Sequence, residues 1–304
     1  MFIAYISYLI TNFEPMATLK SISADKQEQE RFGLDKISLA NKNLHLSIEV
    51  RDSHLLACLL DKDTNEYLAW SSYNRKDAKG IKRPLANILK EDLLNVKYSG
   101  SSIMLVPNSA MLIPGAFFSK DSLRDYLKQQ NLIKPNESPR SDFIKNNDCY
   151  SVYSVDSSDY SLLREKYPQS VIRHHSSIFV EYLLALHKDS AKNEVHVYVF
   201  DGYMDVVALQ AGKLILYNRY YIQTPNDFTY FLLWVYEELK LKPEDSSCFF
   251  YGEMSEKSEM FELALKYLKN ARITEKTKRF TFSSQLDSLP AQSYYSLFMQ
   301  YLCI

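Results

Sequence analysis

The order of strand-like and helix-like segments repeats at about half of the chain length. The corresponding strands begin at Leu44 and Val195, at Tyr67 and Leu214, and at Ser102 and Ser247. Their starts are displaced by 151, 147 and 145 positions, which is a nearly constant offset. Repetition of this kind predicts two structurally related halves, each built as three meandering strands followed by a helix, a strand and a helix.

Strict alternation of apolar and polar residues marks the first strand. Its apolar residues are Leu44, Leu46, Ile48 and Val50, and its polar residues are His45, Ser47, Glu49 and Arg51. A period of two residues predicts a strand that is buried on one face. The rest of this half is predicted to contain strands at 55–60, 67–73 and 102–106 and a helix at 85–94.

The middle of the chain and the second half show patterns of the same kinds. Between the halves we predict a helix at 122–130, a polar loop at 134–147, a strand at 150–155 and an apolar helix at 176–187. In the second half, Thr224 and Pro225 are typical of the N-cap and first position of a helix. A strand at 247–251 ends at Gly252, and a last helix is predicted at 255–270.

Glycine is scarce, because 7 of the 304 residues, or about 2%, are glycine. Ordinary usage is about 7%. Loops that cradle phosphate groups are rich in glycine because backbone N–H groups must approach the oxygens closely. Lys and Arg number 36 against 37 Asp and Glu, for a net charge of -1, so the overall field does not favour nucleic acid as a partner. The sequence lacks recognised catalytic and metal-binding motifs, and we expect no catalytic residue and no metal site.

The four cysteines are far apart in the sequence and form no Cys-x-x-Cys pair, so we expect reduced, buried thiols. They are Cys58, Cys149, Cys248 and Cys303.

The N-terminal residues lack the periodicity of the later segments. The apolar run from Met1 to Ile10 is ten residues long, which is too short to span a membrane, and it lacks the basic start and cleavage site of a signal peptide. Met16 opens a polar stretch, and we expect the natural chain to begin there. We therefore predict an N-terminal arm at 1–42, a first half at 43–193 and a second half at 194–304, in a cytoplasmic protein without a membrane span.

The duplicated order of elements is similar to that of the actin-like ATPase fold, which is a ribonuclease H-like α/β fold. The segment from Val195 to Gly252 resembles the second half of the cytoplasmic actin-like proteins of type IV pilus and type II secretion assembly. It shares Gly212-Lys213-Leu214 before a strand that carries Arg219, and Thr224-Pro225-Asn226-Asp227 at the start of a long helix.

Residues 40–304 resemble a bacterial family described as domain of unknown function 3822. The segments that carry this resemblance are Leu46-Ser47-Ile48-Glu49-Val50, Leu105-Val106-Pro107 and Tyr198-Val199-Phe200-Asp201-Gly202. The resemblance implies a duplicated α/β fold with two related halves, each with a mixed sheet flanked by helices.

The resemblance also implies a place for a nucleotide, between the first hairpins of the two halves. Actin-like ATPases carry Asp-x-Gly after the first strand, but this sequence reads Glu49-Val50-Arg51-Asp52-Ser53. In the second half only Tyr203 and Met204 separate Asp201-Gly202 from the returning strand, where ATPases keep a longer loop. We therefore expect neither a nucleotide nor another cofactor. If a vestige of the site remains, its residues are Glu49, Arg51, Asp201, Gly202 and Gly252.

Two interpretations of the glycines stay open. Asp201-Gly202 is typical of a tight hairpin turn, because such turns need positive φ values, and the alternative is a vestigial phosphate turn. Gly252 is either a plain connection from a strand to a helix or the adenosine-side turn of the fold.

The sequence favours a non-catalytic member of the fold, a pseudo-ATPase that serves as an adaptor or scaffold with a protein partner. Tyrosine is enriched at interfaces, and of the 23 tyrosines those at 217, 220, 221 and 230 form either core or a partner groove. The alternative is a divergent ATP-binding protein or phosphotransferase that uses the cleft between the halves. In it Asp201, Gly202 and Gly252 contact ATP, and Glu49 or Asp52 holds magnesium. A third possibility, an unrelated α/β binding module, would not contain two related halves.

Overall fold

The computed structural model describes residues 31–32, 39, 42–77, 80–107, 109–275 and 277–304. The predicted arm at 1–42, with the proposed start at Met16, lies outside the described residues except for 31–32, 39 and 42.

Fifteen strands and seven α-helices form within the described residues. The strands are β1 (Arg31–Phe32), β2 (Leu44–Val50), β3 (His54–Asp61), β4 (Glu66–Asn74), β5 (Gly100–Leu105), β6 (Ala110–Pro114), β7 (Glu137–Ile144), β8 (Cys149–Asp156), β9 (Val171–His174), β10 (Asn193–Phe200), β11 (Tyr203–Gln210), β12 (Lys213–Tyr221), β13 (Ser246–Gly252), β14 (Ala271–Ile273) and β15 (Thr281–Phe282). The helices are α1 (Leu85–Ile88), α2 (Leu123–Gln129), α3 (Ser157–Lys166), α4 (His175–Leu186), α5 (Pro225–Glu238), α6 (Glu259–Tyr267) and α7 (Tyr295–Met299).

Two mixed sheets share one strand order. The first contains β4-β3-β2-β5-β9, extended by β1 and β15 at β4, and the second contains β12-β11-β10-β13-β14. In each sheet the first three strands form an antiparallel meander, and the last two run parallel to the first strand of that meander. A third sheet, β6-β8-β7, is inserted in the chain between β5 and β9 of the first sheet. The predicted duplicated α/β fold with mixed sheets is confirmed.

The prediction that β2 is buried on one face was wrong, because all seven of its residues are buried. Its apolar side chains pack in the core of the first sheet. Its polar face is covered by the C-terminal segment, where α7 packs against β2 and Gln300 Nε2 donates to Ile48 O at 3.4 Å. The alternation of polar residues therefore marks a second buried face rather than a solvated one.

Three other predicted elements were wrong in type or length. The predicted helix at 85–94 is the four-residue α1 followed by a separate 3-10 turn, Asp92–Asn95. The predicted loop at 134–147 contains β7, whose polar sequence and Pro139 are tolerated because β7 is the edge of its sheet. The predicted helix at 255–270 is shortened to α6, which Ser258 caps by accepting a hydrogen bond from Phe261 N.

One hydrophobic cluster joins the two sheets. It contains Trp70 and Met104 from the first sheet, Phe179 from α4, Tyr251 from the second sheet and Phe298 from α7. Because this core is continuous, the facing surfaces of the two halves are packed together instead of being separated by solvent. The four cysteines are buried and free, as predicted.

His45, on the polar face of β2, is a buried histidine whose protonation is disfavoured. Its Nε2 lies 2.9 Å from Ser102 Oγ, and its ring centroid lies 4.8 Å from that of Tyr301. Burial, together with the charge of Lys62, lowers the pKa of His45 from 6.5 to about 4. The unfolded chain therefore binds the proton more readily than the folded one. The contribution of neutral His45 to the free energy of unfolding is complete above pH 6.5, and it is lost as the pH falls toward 4.

We expect acidification to about pH 4.5 to cost about 2 kcal/mol through His45. Urea denaturation of the wild type and of His45→Gln at neutral pH and at about pH 4.5 measures this, because the amide does not titrate. The wild type should lose more free energy of unfolding on acidification than the variant. Equal losses in the two proteins would contradict the assignment.

Candidate functional site

The tips of the first hairpins of the two halves contact each other directly. Ser53, in the turn between β2 and β3, donates from Oγ to Asp201 Oδ1 at 2.6 Å. Arg51 Nη1 donates to Glu253 Oε1 at 3.0 Å, across the same gap. We call these four residues the hairpin contact. It lies where the sequence analysis expects any vestige of a nucleotide site, because it contains Arg51 and Asp201.

Arg51 is the central residue of the hairpin contact, and it is as buried as a core residue. Its side chain is 5% exposed, and its Nε donates to Glu49, whose side chain is 1% exposed. Burial alone would lower the pKa of Arg51, but Glu49, Tyr198 and Glu253 around it raise the pKa above its ordinary value. Burial raises the pKa of Glu253, and the charge of Arg51 opposes that rise. Arg51 therefore holds a fixed positive charge between two carboxyl groups.

A second buried group of polar residues lies beside the hairpin contact, and we call it the Asp205 network. Asp205 accepts hydrogen bonds from Arg219, with Nη2 2.7 Å from Oδ2, and from His175 Nδ1 at 2.9 Å. Arg219 Nη1 also donates to Pro107 O, so the second sheet is fastened to the loop after β5. Burial alone would raise the pKa of Asp205, but Arg219 and then His175 lower it well below its usual range.

The Asp205 network contains the connectivity of a Ser-His-Asp triad. His175 Nε2 lies 2.9 Å from Ser296 Oγ, on the side opposite Asp205. His175 is 1% exposed, Asp205 0% and Ser296 2%, whereas a catalytic serine must reach a substrate carbonyl. Asp205 is also shared with Arg219. The arrangement therefore fastens α4 and α7 to β11 and is not the site of a hydrolase.

The structure brings together all five residues of the predicted vestigial site. Arg51 and Asp201 belong to the hairpin contact, and Glu49 binds Arg51. Gly202 and Gly252 are the chain neighbours of Asp201 and Glu253, which also bind each other. Asp201 and Gly202 have φ values of 46° and 76°, which are those of a tight hairpin turn. The other partners of this region, Glu253, Asp205, His175 and Ser296, were missed because contacts between residues far apart in sequence leave no local pattern.

The residues at this position do not fit a triphosphate. The backbone N–H groups of three residues of the hairpin contact already donate to protein oxygens: Arg51 to His54 O at 2.9 Å, Glu253 to Val199 O at 2.8 Å, and Asp201 to Glu253 Oε2 at 3.3 Å. The carboxylates of Asp201 and Glu253 would repel phosphate. Asp52, the other predicted magnesium ligand, is instead an exposed partner of Lys76.

The predicted tyrosine cluster divides between core and surface. Tyr220 is 1% exposed and packs in the second sheet's core, whereas Tyr221 and Tyr230 are 55% and 62% exposed. The two exposed rings lie on β12 and α5.

The strand order, the duplicated sheets and the paired hairpins define a protein of the actin-like ATPase fold. A crystal structure from Bacteroides thetaiotaomicron, of a protein with an actin-like ATPase fold and unknown function, matches with a TM-score of 0.69 at 20% identity. The match covers 77% of this chain and 91% of that chain. The sequence also matches the family described as "Protein of unknown function (DUF3822)" over residues 35–271. The chain belongs to this family.

Two further solved structures are more distant. The PilM-PilN type IV pilus biogenesis complex matches with a TM-score of 0.49 at 11% identity, over 85% of this chain and 98% of that chain. A ROK family protein from Streptococcus pneumoniae in complex with sucrose matches with a TM-score of 0.39 at 10% identity, over 86% and 98%. A search of curated proteins gave no match. Among the described residues, none of the helices has the length and apolar character needed to cross a bilayer.

Proposed function

We propose that this protein is a pseudo-ATPase: a non-catalytic member of the actin-like fold that acts as an adaptor or scaffold for a protein partner. The observation that carries the proposal is the hairpin contact. Arg51 and Ser53 of the first half bind Glu253 and Asp201 of the second half, in the position where a nucleotide would separate the halves.

Charge and burial around Arg51 support this proposal. An arginine that neutralises phosphate must be free to face it, but Arg51 is held between Glu49 and Glu253. Glu49, which the alternative function would use to hold magnesium, is 1% exposed and paired with Arg51. Opening the site for ATP would break the contact between Arg51 and Glu253 and would leave the buried Arg51 paired only with Glu49.

The competing function is that of a divergent ATP-binding protein or phosphotransferase, and it makes a different prediction for binding. We expect titration calorimetry of the full chain with ATP and magnesium to give no saturable heat at micromolar concentrations. Colorimetric phosphate release should equal that of buffer alone, because the backbone N–H groups of Arg51, Asp201 and Glu253 at the hairpin contact already donate to protein oxygens.

Two blocking variants make the calorimetry decisive. Ser53→Trp places an indole at the half-buried turn position that contacts Asp201. Gly202→Trp places one in the opposite turn, where an added Cβ lies 3.5 Å from Ile222 O. Micromolar ATP binding by the wild type that both variants abolish, with their thermal unfolding still cooperative, would establish the competing function. Binding that survives both variants would place the nucleotide outside the cleft.

For the partner, we propose contact with the exposed tyrosines of the second half, Tyr221 on β12 and Tyr230 on α5. Tyr221 and Tyr230 offer ring area and a hydroxyl each, which suits a protein interface better than a charged ligand. Such a surface is compatible with an adaptor that binds through one half while the other half supports the fold.

A further inference from the structure

Two histidines and a glutamate converge where α4 leads into the second sheet, away from the hairpin contact. His187 directly follows α4, and Glu194 and His196 lie two residues apart on β10, so their side chains share one face of the strand. We call these three residues the His187 cluster. One potential ligand atom from each residue lies within 4.8 Å of those of the other two.

Buried atoms of the His187 cluster lack hydrogen-bond partners. His196 is 0% exposed, and its Nε2 has none. Glu194 is 6% exposed, and its Oε2 also has none, although His187 Nδ1 lies 2.9 Å away as an ion-pair contact. Buried polar atoms are nearly always paired. It is therefore unusual that His196 Nε2 has no hydrogen bond and lies on the same face as a Glu194 oxygen whose contact is the His187 ring nitrogen. Imidazole and carboxylate are both ligand types that Zn²⁺ prefers.

The surroundings of His196 orient its free nitrogen. Its Nδ1 lies 3.0 Å from the hydroxyl of Tyr251, and its ring stacks on Phe249 with a centroid distance of 4.9 Å and an interplanar angle of 6°. Metal-binding histidines commonly hold their second ring nitrogen in such a hydrogen bond, which fixes the tautomer. The His187 side chain is 15% exposed, and it gives an ion a route from the surface.

We propose that His187, Glu194 and His196 bind a divalent transition-metal cation of the Zn²⁺ type, with water in the fourth position. Three protein ligands from two histidines and a glutamate match known zinc coordination. The ion would fasten the end of α4 to β10. Sequence analysis predicted no metal site because these residues form none of the recognised metal-binding spacings, and only the return of the chain from α4 into β10 brings them together.

The test is calorimetric titration of the chelator-treated full chain with zinc chloride. We expect one ion per chain and a rise in melting temperature at saturating zinc. His187→Ala removes a ligand at a partly exposed helix end, and Glu194→Gln keeps the side-chain shape without the charge. Loss of a residue that only supports a metal ligand costs roughly 10- to 100-fold in affinity. Each of these variants loses a ligand itself, so each should weaken zinc binding by at least that factor. His54→Ala, at a partly exposed histidine outside the cluster, should bind zinc as the wild type does.

Cobalt substitution gives a readout that does not depend on the variants folding. Co²⁺ bound by nitrogen and oxygen ligands should give visible absorption without a thiolate charge-transfer band, because the four cysteines are buried elsewhere. Absence of zinc binding by the wild type, equal affinity in the wild type and in folded Glu194→Gln, or a thiolate band with cobalt would each overturn the proposal.

Discussion

Replacing Arg51 with methionine should lower the free energy of unfolding by about 3 to 5 kcal/mol. Methionine keeps most of the apolar stem but removes the guanidinium that pairs with Glu49 and Glu253. Glu49 is 1% exposed and would keep a buried charge with no cation beside it. The loss is a large part of the about 5 to 15 kcal/mol by which domains are stable.

Lys76→Met is the matched control for Arg51→Met. Lys76 pairs with Asp52, but the two side chains are 42% and 47% exposed, so loss of this pair should cost less than about 1 kcal/mol. Urea denaturation of both variants and of the double variant Glu49→Gln/Arg51→Met measures the effect. The double variant should be more stable than Arg51→Met alone, because it no longer buries an unpaired charge. An Arg51→Met variant as stable as Lys76→Met would refute this account of the hairpin contact.

The second large effect is expected at Gly252, the last residue of β13. Gly252 has a φ of 79°, and a Cβ there would lie 2.1 Å from Val199 O on the paired strand β10. Alanine must therefore adopt a left-handed conformation, which costs about 1 to 2 kcal/mol, and also push two central strands apart, which costs about 1 to 3 kcal/mol more. We expect Gly252→Ala to be destabilised by about 3 kcal/mol or more.

Gly80→Ala separates these two contributions to the loss of stability. Gly80 has nearly the same φ, 78°, but no atom lies within 4 Å of an added Cβ. Its substitution should cost only the conformational part, about 1 to 2 kcal/mol. If the two alanine variants have equal unfolding midpoints in urea, the contact with Val199 O does not constrain Gly252.

The sequence predicted the parts of the fold that depend on local patterns. The three strands of each meander and α5 with its Thr224 cap were found from periodicity and capping residues. β7 was missed because an edge strand with a proline and polar residues looks like a loop. α1 and α6 were overextended because apolar spacing continues beyond the backbone hydrogen bonds that define them.

Local periodicity by itself determined the duplicated sheets, because backbone geometry follows from neighbouring residues. The shortage of glycine led us to expect no glycine-rich phosphate loop. The pairing of Arg51 with Glu253, which are 202 positions apart, was decided only by the tertiary structure. So was the second buried face of β2, since its cover comes from α7 at the other end of the chain. The physical reason is that a strand's alternation fixes which residues share a face, while the packing of distant segments fixes what that face meets.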